Sequence, residues 1–169
     1  MKVYALLASI ILRIVSAEVF TDENFKRSTK EYIADEAAGE AKYGHISTWD
    51  TSQVTKMDYL FCYADQFNQD ISKWNVAKVT DMSGMFDNAK KFDQDISGWD
   101  VSSANNMYAM FTYASTFNQD LSSWQVSQVT DMTGMFWEAL SFEQNLPWKL
   151  HPEVKKDWMM FGNNAKIVE

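Results

Sequence analysis

"FNQDISKWNV" spans Phe67–Val76, "FDQDISGWDV" spans Phe92–Val101, and "FNQDLSSWQV" spans Phe117–Val126. One pattern of acids, amides and large apolar groups returns at a step of 25 residues. A unit of that length cannot bury its apolar side alone. It must stack on its neighbours, which makes the chain a repeat stack.

The columns extend well beyond the quoted stretch. Trp49, Trp74, Trp99 and Trp124 keep the step, and Trp148 follows after 24 residues. Val54, Val79, Ala104 and Val129 align, as do Met57, Met82, Met107 and Met132. So do Phe61, Phe86, Phe111 and Phe136, then Phe67, Phe92, Phe117 and Phe142. Gln69, Gln94, Gln119 and Gln144 form a polar column, and Ile71, Ile96, Leu121 and Leu146 an apolar one.

Two local patterns fill each unit. From Val54 onward the apolar residues share one side of a helical wheel, which predicts a short helix from about Gln53 to Asp65 and its equivalents. Ser52, Ser102 and Ser127 stand where they could cap it. In "FNQDIS", Phe67, Gln69 and Ile71 alternate with Asn68, Asp70 and Ser72, which predicts a short strand. Stacked units would place these strands in a parallel sheet. The expected fold is therefore an α/β repeat solenoid, a right-handed stack like that of leucine-rich repeats, with one short strand and one short helix per unit. The Gln column points inward in this scheme, bonded amide to amide up the stack. The Trp column packs between strand and helix, with each indole N–H on a loop carbonyl.

The ends differ from the middle. Residues 1–17, with Lys2, an apolar run and small residues at Val15–Ala17, read as a secretory signal peptide cut before Glu18; a retained anchor is the competing reading. Residues 18–45 read as an N-terminal helical cap, with a helix from Thr21 or Asp22 to about Ala38. Residues 46–145 hold four repeats, and 146–169 a degenerate repeat and C-terminal cap in which Leu146, Trp148, Met160, Phe161 and Ala165 keep the pattern with a one-residue slip.

The formal charge of −8 disfavours nucleic acid and anionic lipid, and becomes −10 once Lys2 and Arg13 are removed. One cysteine, Cys62, cannot form a disulfide within the chain; it aligns with Asp87, Thr112 and Trp137 in what reads as a surface column. His45 and His151 stand at opposite ends of the stack, with no nucleophile beside either. No enzyme chemistry and no cofactor is called for.

The unit "FNQDISxWDVSxVTDMxxMFxxA" resembles the BspA-like leucine-rich-repeat surface protein family, whose repeats of similar length occur in mycoplasma-type lipoproteins. Phe92–Ser97, Trp99–Ser102 and Val129–Met132 with Met135, Phe136 and Ala139 carry the resemblance. It implies a secreted or cell-surface protein without enzymatic activity, used for adhesion, protein binding or structure. It carries no functional residues over.

Two residue sets could bind. Tyr59, Tyr63, Tyr113 and Trp137 break the repeat and fall away from the core on the wheel, so they suit a protein or glycan partner. Asp70, Asp95 and Asp120 form an outward acid ladder that could bridge calcium in a surface-layer component, or could instead hold the N–H groups of the following turns.

Overall fold

The structure, a computed structural model, describes residues 19–168. The expected signal segment and its cut at Glu18 lie outside the described residues. Helix α1 spans Asp22–Ala34 and α2 spans Glu36–Tyr43, followed by a 3-10 turn at Ile46–Thr48. Strand β1, Asn145–Leu146, pairs in parallel with β2, Lys166–Ile167. From Trp49 to Gln144 the chain is built of turns and isolated parallel bridges.

The N-terminal segment contains two helices, where the sequence pattern predicted one running to about Ala38. Asp35 breaks it with an extended backbone (φ −150°, ψ 97°), and its carboxylate accepts the Ala38 N–H at 3.0 Å to start α2. Gly39 then lets α2 lie against α1, because a Cβ there would sit 2.6 Å from the Tyr32 Cα. Helix α1 buries Phe25 and Tyr32 edge-on to Trp74 and Trp49, and Phe20 stacks on Trp49 at 4.4 Å.

Main-chain hydrogen bonds join each unit to the next. Met57, Tyr59, Phe61 and Tyr63 donate their N–H groups to Asp81, Ser83, Met85 and Asp87 at 2.8–2.9 Å. The equivalent residues from Met82, Met107 and Met132 onward repeat this set in turn. One further bond runs the other way, with Thr80, Asn105, Thr130 and Lys155 donating to Thr55, Thr80, Asn105 and Thr130.

This ladder displaces the helix expected over Gln53–Asp65. Alternate N–H groups are committed to the next unit, so they cannot bond four residues back along their own segment. The intervening ones close tight turns instead, such as Ala64 to Phe61 at 3.0 Å and Asp87 to Gly84 at 3.1 Å. The alternation needs two left-handed residues per unit. Tyr59 (φ 53°), Gly84, Ala109, Gly134 and Trp158 form one such column; Tyr63 (φ 59°), Asn88, Tyr113, Glu138 and Gly162 form the other. Apolar residues three apart mark a helical stripe, but they also mark the first and fourth residues of a β-turn. Ile71 and Trp74 stand in that relation, as do Val76 and Val79. Ser52, expected as a helix cap, donates its N–H to Asp50.

The strand expected at Phe67–Ser72 is also absent. Phe67 closes a turn on Ala64, Trp74 closes one on Ile71, and Asp70 holds the Ser72 N–H at 2.9 Å. Where a sheet would use a carbonyl, this stretch uses a side chain: Asn68 Oδ1 accepts the Asp93 N–H at 2.9 Å. The half-buried Gln column joins the same ladder, but each Gln from Gln94 on bonds an Asn or Asp of the preceding unit and not the preceding Gln. Gln94 donates to Asn68, Gln119 to Asp93 and Gln144 to Asn118 at 2.8–3.0 Å.

The core is a set of aromatic stacks. Phe61, Phe86, Phe111 and Phe136 lie 5.4 Å apart with planes within 9°. Phe67, Phe92, Phe117 and Phe142 follow at 5.8–6.0 Å. Trp49, Trp74, Trp99, Trp124 and Trp148 are buried, and from Trp74 on each indole N–H reaches back to the Ile46, Ile71, Ile96 or Leu121 carbonyl at 2.8–3.2 Å.

The C-terminal slip begins at Pro147. Asn145 occupies the place of Asp120, but Pro147 has no N–H for it to hold. With that turn gone and one residue fewer before Trp148, Asn145–Leu146 is free to pair with β2. The shortened step carries through the last unit. Met159, not Met160, takes the place of Met135, and Phe161 is exposed, not core.

At the other end Asp22 supplies the acceptors that the first unit lacks. Its carboxylate takes the Thr55 N–H at 2.7 Å, the Thr55 hydroxyl at 2.6 Å and the Lys56 N–H at 3.1 Å, where later units offer a backbone carbonyl. Burial raises its pKa, but the Thr55 hydroxyl and the two amides outweigh this and lower it from 3.8. A lowered carboxylate pKa means stability present above the unfolded value and lost as pH falls through the folded one. We expect Asp22→Ala to cost about 1 kcal/mol at pH 7, given the exposed setting. The difference from wild type should shrink in denaturant titrations as pH drops below about 3.8; a difference constant with pH would show that the carboxylate charge is not what caps the edge.

Trp74→Ala should cost about 3–5 kcal/mol, since it empties a buried aromatic site between Trp49 and Phe61. Melting curves measure this, and an unchanged midpoint would place the indole outside the core.

Candidate aromatic surface

The four sequence-predicted aromatics fall in three places. Tyr113 and Trp137 are neighbours, with ring centroids 6.4 Å apart and planes at 29°. Tyr59 lies over Gly84, where an added Cβ would sit 2.3 Å from its ring. Tyr63, 71% exposed, lines a cleft with α1 at the N-terminal end. All four are exposed, but no helix puts them there. Tyr59, Tyr63 and Tyr113 occupy the left-handed columns, whose side chains the turn directs away from the core.

The structure adds two residues to the pair. Trp158 stacks on Trp137 at 6.3 Å and 27°, and Phe161 meets both edge-on at 6.1 and 5.5 Å. Tyr113, Trp137, Trp158 and Phe161 thus form one aromatic strip across the last units, each more than a third exposed. The sequence held the signal for the two additions. Carrying the 24-residue step from Trp148 onward aligns Trp158 with Gly134 and Phe161 with Trp137. Left-handed backbone is costly for large side chains, yet Trp158 (φ 58°) and Tyr113 (φ 54°) stand in columns where some other units use Gly or Asn. Beside the strip the Glu138 carboxylate crowds Gly162, about 3 Å from where its Cβ would be.

The acid ladder does not converge. Asp70, Asp95 and Asp120 each hold the N–H of the Ser two residues on, at 2.8–2.9 Å. The hydroxyl and amide of Ser72 and Ser97, and the amide and hydroxyl of Ser122, keep these carboxyls below the usual carboxylate range. Among the described residues, no three His, Cys, Asp or Glu come together where they could hold a metal. The acids and amides of the repeat are turn formers.

Cys62 is half-buried and its column is not uniformly exposed, since Thr112 is buried and donates to the Gly134 carbonyl. Burial, then the charge of Asp87 and its contact at 3.8 Å, push the Cys62 thiol up to about 11. It is a poor nucleophile at neutral pH. His45 and His151 each accept a nearby N–H, from Ser47 and Glu153. No helix among the described residues is long and apolar enough to cross a membrane.

Calcium should leave the melting temperature where an equal ionic strength of sodium chloride leaves it, because the Asp oxygens already serve turn amides. A rise specific to calcium would show that the ladder binds the ion.

Residues 28–166 match a protein family described as "Mycoplasma protein of unknown function, DUF285". No curated protein and no solved structure matches the chain. The family match covers most of the sequence, including the stacked units and the aromatic strip, so the chain belongs to the DUF285 family.

Proposed function

We propose that this is a secreted or cell-surface, non-enzymatic binding protein, a repeat stack that presents an adhesive face. The observation that carries this reading is the strip of Tyr113, Trp137, Trp158 and Phe161. Soluble proteins scatter single aromatics over their surfaces, whereas contiguous apolar patches mark interaction sites. Rigid aromatics supply contact area at low entropic cost and dominate binding hot spots. The resemblance of the repeat unit to BspA-like surface proteins favours the same location and role.

A glycan is the first partner to try. Tyr113, Trp137 and Trp158 are tilted by less than 30° from one to the next, at 6.3–6.4 Å, which offers successive flat faces to the C–H sides of sugar rings. Glu138 adds an acceptor for hydroxyl groups beside them. The calcium-dependent surface-layer reading has no converging carboxylates to draw on among the described residues.

A screen of the chain against glycans and matrix proteins tests this, followed by two variants. Joint Tyr113→Ala and Trp137→Ala changes should weaken binding by more than ~2 kcal/mol and shift the melting point little. Joint Asp95→Asn and Asp120→Asn changes should leave affinity intact. Normal binding by the first variant and loss in the second would move the recognition face to the acid column.

A further inference from the structure

The N-terminal edge of the stack is capped at one place and open at another. Asp22 supplies the missing acceptors at Thr55, as described above. Among the described residues no such group serves Asn68 and Gln69. At the three inner junctions, one side chain does two jobs there. Asn68 Oδ1 accepts the Asp93 N–H and the Gln94 amide at 2.9 and 3.0 Å. Asp93 Oδ1 takes the Asn118 N–H and the Gln119 amide at 3.0 and 2.8 Å. Asn118 Oδ1 takes the Glu143 N–H and the Gln144 amide at 3.1 and 2.8 Å.

Twenty-five residues before Asn68 the chain holds Tyr43, the last residue of helix α2 and outside the repeat. Its hydroxyl is turned to Glu31, at 2.6 Å. Among the described residues nothing accepts the Asn68 N–H or the Gln69 amide. The space left there is a cleft of about 480 Å³. Ile33 and Tyr63 give it apolar wall, and Glu36 and Asp65 give it carboxylates. Lys90 pairs with Asp65 at 3.0 Å, and among the described residues no Lys, Arg or His lines the cleft.

We propose that this cleft binds an extended peptide segment of a partner protein, one that carries an Asn side chain with basic residues beside it. The chain itself displays the bonding three times over: a side-chain oxygen, a carboxamide at Asn68 and Asn118 and a carboxylate at Asp93, accepts one main-chain N–H and one Gln amide. Asp serves as well as Asn at Asp93, but the Glu36 and Asp65 carboxylates favour the neutral side chain here and a cation next to it. The mode is that of a segment added to an open edge, with side chain in place of main chain as the acceptor.

The probe is an acetylated, amidated peptide, Lys-Phe-Asn-Gln-Lys, titrated into the whole chain at low salt and followed by calorimetry. Wild type should bind it. The same peptide with Leu in place of Asn should bind at least tenfold more weakly. Gln69→Ala, checked by its melting curve, should lose as much, and Glu36→Gln should lose affinity in a salt-dependent way. Should Gln69→Ala unfold, Gln69→Glu serves in its place, since a carboxylate there repels the acceptor. The Tyr113→Ala, Trp137→Ala variant should bind the peptide as wild type does, which separates this cleft from the aromatic strip. No binding at millimolar peptide, equal binding of the Leu peptide, or unaltered binding by the folded Gln69 variant each overturns the proposal. So does a chain that pairs with its own copy through this edge and is not displaced by the peptide.

Discussion

Every second N–H between Met57 and Tyr63 belongs to the next unit and not to its own. The rest of the architecture follows from that commitment. Four parallel main-chain bonds per junction fix the register, and a one-residue error would misplace all of them at once. The register in turn brings Phe onto Phe and Trp onto Trp, so the stacked aromatic columns and the hydrogen-bond ladder each require the other. The bonded residues alternate with turn-closing ones, and that alternation is possible only with left-handed backbone at two places per unit. The large side chains at those places, Tyr59, Tyr63, Tyr113 and Trp158, are all exposed. The chain can therefore place Gly there in one unit and Trp in another without disturbing its interior.

The ends of such a ladder are its vulnerable parts, because unpaired donors and acceptors invite further pairing. The two ends are handled by different chemistry. Asp22 imitates a carbonyl at the start, and Pro147 removes a turn near the finish so that two residues can pair as ordinary strand. Neither device covers the Asn68–Gln69 side of the first unit, where helix α1 stands away from the edge and leaves a cleft.

Much of the core was legible in the sequence. Identical spacing of Trp, Met, Phe and Ile names the buried residues directly, since a stacked unit must bury the same positions as its neighbours. The local conformation was not legible. Val54, Met57, Leu60 and Phe61 satisfy a helical wheel, yet the same spacing arises when successive β-turns each bury their first and fourth residues. Only the hydrogen-bond partners separate the two, and those lie 24 residues away. The alternation of Phe67, Gln69 and Ile71 misled in a similar way, because Asn68 bonds through its side chain where a strand would bond through its backbone. In the candidate site, variation between units pointed to Tyr113 and Trp137, but Trp158 and Phe161 were hidden by the single residue missing before Trp148.

The two left-handed columns have a consequence for any ligand longer than one unit. They place outward side chains in parallel rows, one position per row per unit, at the rise of the stack. A linear polymer lying along a row meets several positions in succession while tethered by the first it engages. The second contact then forms at a high effective concentration, so affinities multiply along the row in place of adding. Weak single contacts, each of little use alone, give firm attachment to a polymer and almost none to its isolated building block. Lengthening the chain by one unit extends both rows by one position and leaves the core pattern unchanged.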